Sequence, residues 1–203
     1  MDGTKFFNVI RQEPFGGTLS QSQVDGINRL FNVWNQFYSH DPVEFLAYDL
    51  ATSFLETGRA MQPVTEEGSV SYFNKYEPGT PLGKALGNTE KGDGYRFRGE
   101  GDVQNTGRRN ASFASHRLNA MFSLGIDLVA NPNLRLDPVI SAHSLFLGNR
   151  EGWWTGRKLG DYIAPPNNVD FVGARHVVNG TDKAQLIAGY AEQFLNALRS
   201  ADA

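Results

Sequence analysis

From Thr57 to Glu100 the chain is punctuated by Gly58, Gly68, Pro78-Gly79, Pro81, Gly83, Gly87, Gly92 and Gly94. Chain breakers at that spacing leave no room for a long helix or strand, so the stretch must run mostly as loop. A loop region this long inside a compact domain is usually functional or disordered rather than idle. Some short strand or hairpin structure is expected around Ser69–Phe73 and Tyr95–Phe97, with Asp93-Gly94 as a turn.

The flanking sequence is helical in pattern. Ser20 stands three residues before Gln23, a capping-box spacing, and Val24, Ile27, Leu30, Phe31 and Trp34 follow at helical intervals. In Asp41-Pro42-Val43-Glu44, Asp41 is expected to cap, Pro42 to take the first helical position and Glu44 to complete the box. Leu46, Leu50, Ala51, Phe54 and Leu55 supply the apolar stripe, and Gly58 the stop. Further helices are expected at Ala111–Leu124, ending at Gly125, and from Asp137-Pro138 to Gly148. A last helix opens at Asp182 with Gln185 in box position and presents Leu186, Ile187, Tyr190, Phe194, Leu195 and Leu198. Trp153–Asp170 is loop-rich, with short helix potential at Lys158–Tyr162. The expected class is mainly α, or α+β with minimal sheet, with long loops. There is no repeat and no convincing linker, so residues 1–203 are read as one domain.

Composition narrows the chemistry. A formal charge of −3 argues against a nucleic-acid partner. With no cysteine, disulfides, thiolate zinc sites and cysteine nucleophiles are excluded. His40, His116, His143 and His176 are dispersed without an HExxH pair, so no metal and no other cofactor is expected. No apolar run is long enough to span a membrane, and the opening MDGTKFFNVI does not read as a secretory signal. A monomer is expected.

Glycoside cleavage needs two carboxyl groups flanking the bond, one of them protonated. By position alone Glu56 is an ordinary solvated residue at a helix end. That end carries the negative pole of the helix dipole, and Phe54 and Leu55 add desolvation; both disfavour a carboxylate, as a general acid requires. The surrounding text gives Glu56 more weight. It reads Leu55-Glu56-Thr57, then Met61-Gln62-Pro63-Val64-Thr65-Glu66-Glu67. Downstream come Gly99-Glu100-Gly101-Asp102-Val103-Gln104-Asn105-Thr106-Gly107-Arg108, Trp154-Thr155-Gly156, Ala174-Arg175 and Val178-Asn179-Gly180. These ordered segments resemble the family 19 glycoside hydrolases, the chitinase-like group also used by phage endolysins. The resemblance runs over residues 5–198.

The resemblance implies a lysozyme-like fold with loops around a central cleft. It implies Glu56 as general acid, Glu66 as the base that activates water, with Glu67 as the alternative, and Thr106 as the hydroxyl that holds the water. It also implies that Gln104, Asn110, Asn179 and Tyr76 contact sugar, and that Arg175 lines the site and pairs with Glu66. Trp153 and Trp154 are ranked below Tyr76 as sugar contacts. The implied activity is inverting, endo-acting cleavage of β-1,4 bonds in bacterial peptidoglycan, with the polysaccharide as partner. Such a protein would be made in the cytoplasm and act on the wall after release, through a holin if it is a phage endolysin. A chitinase is the alternative, and a non-catalytic wall-binding or virion protein the second. Departures from the pattern are Leu55 for His, Glu100 for Arg, and Asp102 and Asn105 for Tyr and Leu. They suggest a more polar groove floor and a Glu100 that either repels the base or pairs with Arg98.

Overall fold

The computed structural model describes residues 2–202. Helices hold 58% of the residues and strands 4%, which makes the fold mainly α. The chain runs α1 (Gly3–Gln12), α2 (Gln21–Phe37), α3 (Val43–Glu56), β1 (Val64–Thr65), α4 (Pro81–Ala85), α5 (Asp93–Arg96) and β2 (Glu100–Gly101). It continues through α6 (Arg108–Phe122), α7 (Pro138–Glu151), β3 (Ile163–Ala164), β4 (Asn168–Val169) and α8 (Ala184–Asp202). Single 3-10 turns at Tyr72–Tyr76, Pro132–Leu136, Leu159–Asp161 and Gly173–Val177 link these elements.

The core is built around α3. Every residue from Glu44 to Phe54 is buried, so this helix has no solvent face, as expected of a helix enclosed by others. α8, α7 and α2 pack around it. α7 is nearly as enclosed, with Ile140–Asn149 buried. Several polar side chains inside these helices find partners, while the Tyr48 and Ser144 hydroxyls have none among the described residues. Thr52 Oγ1 donates to the Tyr48 carbonyl (2.9 Å) and Asn149 Nδ2 to Asp49 Oδ1 (2.7 Å). Burial holds the Asp49 carboxyl well above the usual carboxylate range, against the pull of the Asn149 hydrogen bond.

Local capping chemistry explains several boundaries. Ser20 and Gln23 form the reciprocal box that starts α2. Asp137 accepts from the Val139 and Ile140 amides, with Pro138 at the first position of α7. The start of α3 differs from expectation: Pro42 is the capping residue and makes no side-chain bond, while Glu44 pairs with Arg199 of α8 at 2.8 Å. α7 runs past Gly148 to Gly152, which adopts φ 79°. Gly148 is a packing residue, because a Cβ there would lie 2.4 Å from the Trp154 ring. α1 was not anticipated; Asp2 caps it and Phe6 and Ile10 bury one face. Ser69–Phe73 and Tyr95–Phe97 are turn and helix rather than strand. The sheet pairing is instead β1 with β2, Val64 opposite Gly101 and Thr65 opposite Glu100. A second hairpin joins β3 and β4. No helix among the described residues is long and apolar enough to cross a membrane.

His143 of α7 is buried between Phe37 and Phe122, with its Nδ1 2.9 Å from the Tyr38 hydroxyl. Burial pushes its pKa down from 6.5 to about 4, so the folded protein holds it neutral where an unfolded chain would protonate it. The stabilisation is complete above pH 6.5 and fades as pH falls through about 4. Urea denaturation at pH 7 and pH 4 is therefore expected to show His143→Gln losing less stability than wild type, by up to about 3 kcal/mol.

Candidate active site

A cleft of about 620 Å3 opens where the end of α3, the β1–β2 pair and the first turn of α6 meet. Glu56, Glu66 and Thr106 all line it, as do Tyr76, Gln104, Asn110 and Asn179.

Glu56 is the last residue of α3. Thr57 ends the helix by folding its hydroxyl onto the Ser53 carbonyl (2.7 Å) and accepting from the Met61 amide (3.0 Å). The chain then reverses through Gly58, Arg59 and Met61, all at positive φ. Met61's carbonyl passes so close to Gly26 of α2 that a Cβ there would lie 2.0 Å away. Only glycine fits. This tight exit delivers the chain to β1 and Glu66.

The Glu66 carboxylate is held from two sides. Oε2 accepts from the Gly99 amide at 3.1 Å, and Oε1 accepts from the Tyr76 hydroxyl at 3.3 Å. Lys75 Nζ stands 3.8 Å from the same Oε1, over the rings of Tyr72 and Tyr76. Glu66 lines the cleft, while Glu67 is exposed and does not.

Thr106 and Gln104 come from a tight turn after β2. Glu100 and Asn105 exchange both backbone hydrogen bonds, at 2.9 and 3.3 Å, and close the chain over 101–104. Gln104 sits at φ 53°, uncommon for a residue with a Cβ. Its amide nitrogen donates to the Val64 and Gly101 carbonyls, both at 3.0 Å, which holds that conformation. Thr106 Oγ1 donates to the Gln104 carbonyl at 2.8 Å, leaving its lone pairs available to accept. These groups converge on Gly99. A Cβ there would lie 2.7 Å from Gln104 Oε1, 3.2 Å from Thr106 Oγ1 and 3.3 Å from Glu66 Oε2.

Several site expectations need correction. Arg175 pairs with Glu56 at 2.8 Å, not with Glu66. It is buried behind Glu56, with its Nε on the Asp182 carbonyl, and does not line the cleft. Phe54, expected to crowd Glu56, turns into the core against Phe15, Tyr190 and Phe194. Asp102 and Asn105 do not form a polar groove floor; both are buried beneath the turn. Glu100 is buried as well. It meets Arg135 at 2.9 Å, with Arg98 at 3.8 Å.

Burial pushes the Glu100 carboxyl up and the Arg135 guanidinium down to about 10, and each charge opposes the other's shift. Arg135 also donates to the carbonyls of Arg96, Arg98, Asn105 and Pro132. Among the described residues neither Glu100 oxygen has an aligned hydrogen-bond donor, so charge rather than bond geometry holds the pair.

Trp154, ranked below Tyr76 from the sequence, shares the cleft wall with it. Its indole N–H donates to Asn149 Oδ1 at 2.9 Å, extending the Asp49–Asn149 bond from the core to the cleft wall. Leu82, Ala85, Leu86 and Arg109 were not anticipated in the wall, and no local motif marks them. Comparison with protein-family models, curated proteins and solved structures returned no match.

Arg135→Met leaves Glu100 buried without its main cation and is expected to cost about 3–5 kcal/mol. Pairing it with Glu100→Gln is expected to restore part of the loss, read by urea midpoint and slope.

Proposed function

We propose that this protein is an inverting, endo-acting glycoside hydrolase that cleaves β-1,4 bonds of bacterial peptidoglycan. On this reading it carries the lysozyme-like fold of the family 19 enzymes it resembles. The observation that supports it is the joint placing of Glu56, Glu66 and Thr106 on the wall of one cleft. Two carboxyl groups beside a bound sugar and a hydroxyl to hold water are the parts the reaction needs.

In the proposed reaction Glu56 donates its proton to the glycosidic oxygen as the C1–O bond breaks. Arg175 bonds Oε1 of Glu56 alone, so Oε2 is the oxygen left to carry the proton. Water held by Thr106 attacks C1 from the opposite face, and Glu66 takes up the proton it sheds. The Gly99 amide and the Tyr76 hydroxyl keep the Glu66 carboxylate aimed. The products are an inverted hemiacetal at the new reducing end and a free hydroxyl on the leaving sugar. Leu55 and Glu100 were the arguments for a non-catalytic relative, and the Glu100 charge is matched by Arg135.

The test is release of reducing ends from purified peptidoglycan and from chitin oligomers. Glu56→Gln is expected to lower the rate by at least about 100-fold. Wild-type activity equal to that of Glu56→Gln on both substrates would sink the proposal. New amino groups without reducing ends would point to an amidase or peptidase.

Gly99→Ala gives an independent check. The added methyl meets Gln104 Oε1, whose amide nitrogen is anchored on the Val64 and Gly101 carbonyls, so the fold is expected to lose about 1–2 kcal/mol as that anchoring loosens. The rate is expected to fall at least about tenfold, because Glu66 and Thr106 must move to make room. Circular dichroism and the reducing-end assay read the two effects separately.

A further inference from the structure

Arg109 is the one cation in the cleft lining. Other cations nearby are engaged: Arg175 with Glu56, Lys75 with Glu66 and two tyrosine rings, and Arg108 with Asp93 and Glu90. Among the described residues the Arg109 side chain has neither an ion-pair nor a hydrogen-bond partner, and the residue is exposed. Its placement is nonetheless fixed. The Arg109 amide donates to the Leu86 carbonyl at 3.1 Å. Gly87 makes room for its stem, since a Cβ there would come within 2.6 Å of Arg109 Cβ.

Beside it lies an apolar ledge of Leu82, Ala85 and Leu86. α4, which carries Leu82 and Ala85, is pinned by the Thr80 hydroxyl on the Gly83 amide at 2.9 Å. Leu82 is 51% exposed, a large apolar side chain left facing the cleft. The carboxyl groups in the lining are Glu56, which carries the donated proton on the proposed reading, and Glu66. The Glu66 carboxylate repels an acidic ligand, and Arg109 offsets that field. A free guanidinium next to small aliphatic groups suits a ligand branch that carries both a carboxylate and methyl groups.

We infer that Arg109 and this ledge form a subsite for the acidic branch of a peptidoglycan glycan. The branch is either the lactyl carboxylate of a muramyl sugar or the carboxylates of the peptide attached to it. An unbranched N-acetylglucosamine polymer has neither group. The inference rests on the glycosidase reading of the same cleft and assigns its selectivity to Arg109.

The test is calorimetric binding to full-length Glu56→Gln protein, with and without Arg109→Gln. The ligands are a neutral N-acetylglucosamine oligomer, an alternating saccharide with free lactyl groups, and the peptide-bearing saccharide with its carboxylates free or amidated. The acidic-to-neutral affinity ratio is expected to fall about three- to tenfold on Arg109→Gln at low salt, and this difference to shrink at high salt. Arg109→Lys is expected to keep part of the ratio. Loss confined to the free-lactyl ligand identifies the lactyl group, and loss confined to the un-amidated peptide ligand identifies the peptide. An unchanged ratio, or no binding of any acidic saccharide, overturns the inference. A changed ratio in a protein whose wild type releases no reducing ends would sustain the subsite and reject the glycosidase.

Discussion

Asp102 carries a carboxylate with no solvent exposure, and donors from three helices converge on it. Arg29 of α2 grips both oxygens at 2.8 and 3.0 Å. Ser53 of α3 donates at 2.9 Å, and Ser141 of α7 donates to Asp102 Oδ2 while accepting from the Asp102 amide. Asp102 directly follows β2, so this cluster bolts the turn bearing Gln104 and Thr106 to the helix that ends in Glu56. A buried charge is costly unless paired and fully hydrogen-bonded, and here both conditions hold. The relation between the two sides of the cleft is therefore fixed by the core rather than by the loops that line it.

The same arrangement recurs around the cleft. Glu56 sits on Arg175, Glu100 on Arg135 and Asp102 on Arg29, and in each pair the arginine comes from an element remote in sequence. Arginine suits such places because its planar fork can bond carboxylate and carbonyl together. Arg135 bonds four backbone carbonyls as well as facing Glu100, and Arg175 bonds the Asp182 carbonyl as well as Glu56. The loops around the cleft thus gain internal partners for backbone groups that no helix or strand satisfies.

What could be read in advance follows from the range of each interaction. Ser20 with Gln23 and Asp137 with Pro138 act within one turn of chain, so the sequence displays them whole. The Glu56, Glu66 and Thr106 assignments came from ordered motifs, and the fold does bring those residues to one cleft. Gly148 was misread as a helix stop because its reason for being glycine is Trp154, which packs across it. A helix interior tolerates glycine at a cost of about 1 kcal/mol, which tertiary packing can outweigh. Arg175 was given to Glu66, and Arg135 was missed as the nearer partner of Glu100 beside the expected Arg98, because ion-pair partners 119 and about 35 positions away leave no local trace. Asp102 and Asn105 were placed in the groove for the same reason. Their neighbours Val103, Gln104 and Thr106 line the cleft, while these two side chains turn beneath it, held by partners remote in sequence or by the turn itself.

The two sides of the cleft differ in how they are held. On one side, Trp154 is tied through Asn149 to Asp49 inside α3, and Glu56 through Arg175 to the turn before α8. On the other, Leu82 and Ala85 ride on a single helical turn held by the Thr80 cap, by Gly83 pressed against the Glu77 carbonyl, and by the Arg109 amide on the Leu86 carbonyl just past it. On the glycosidase reading, Glu56, which must hold its geometry toward a reacting bond, is tied to the core through Arg175. The ledge proposed to meet the varying part of a ligand is carried instead on a short surface helix.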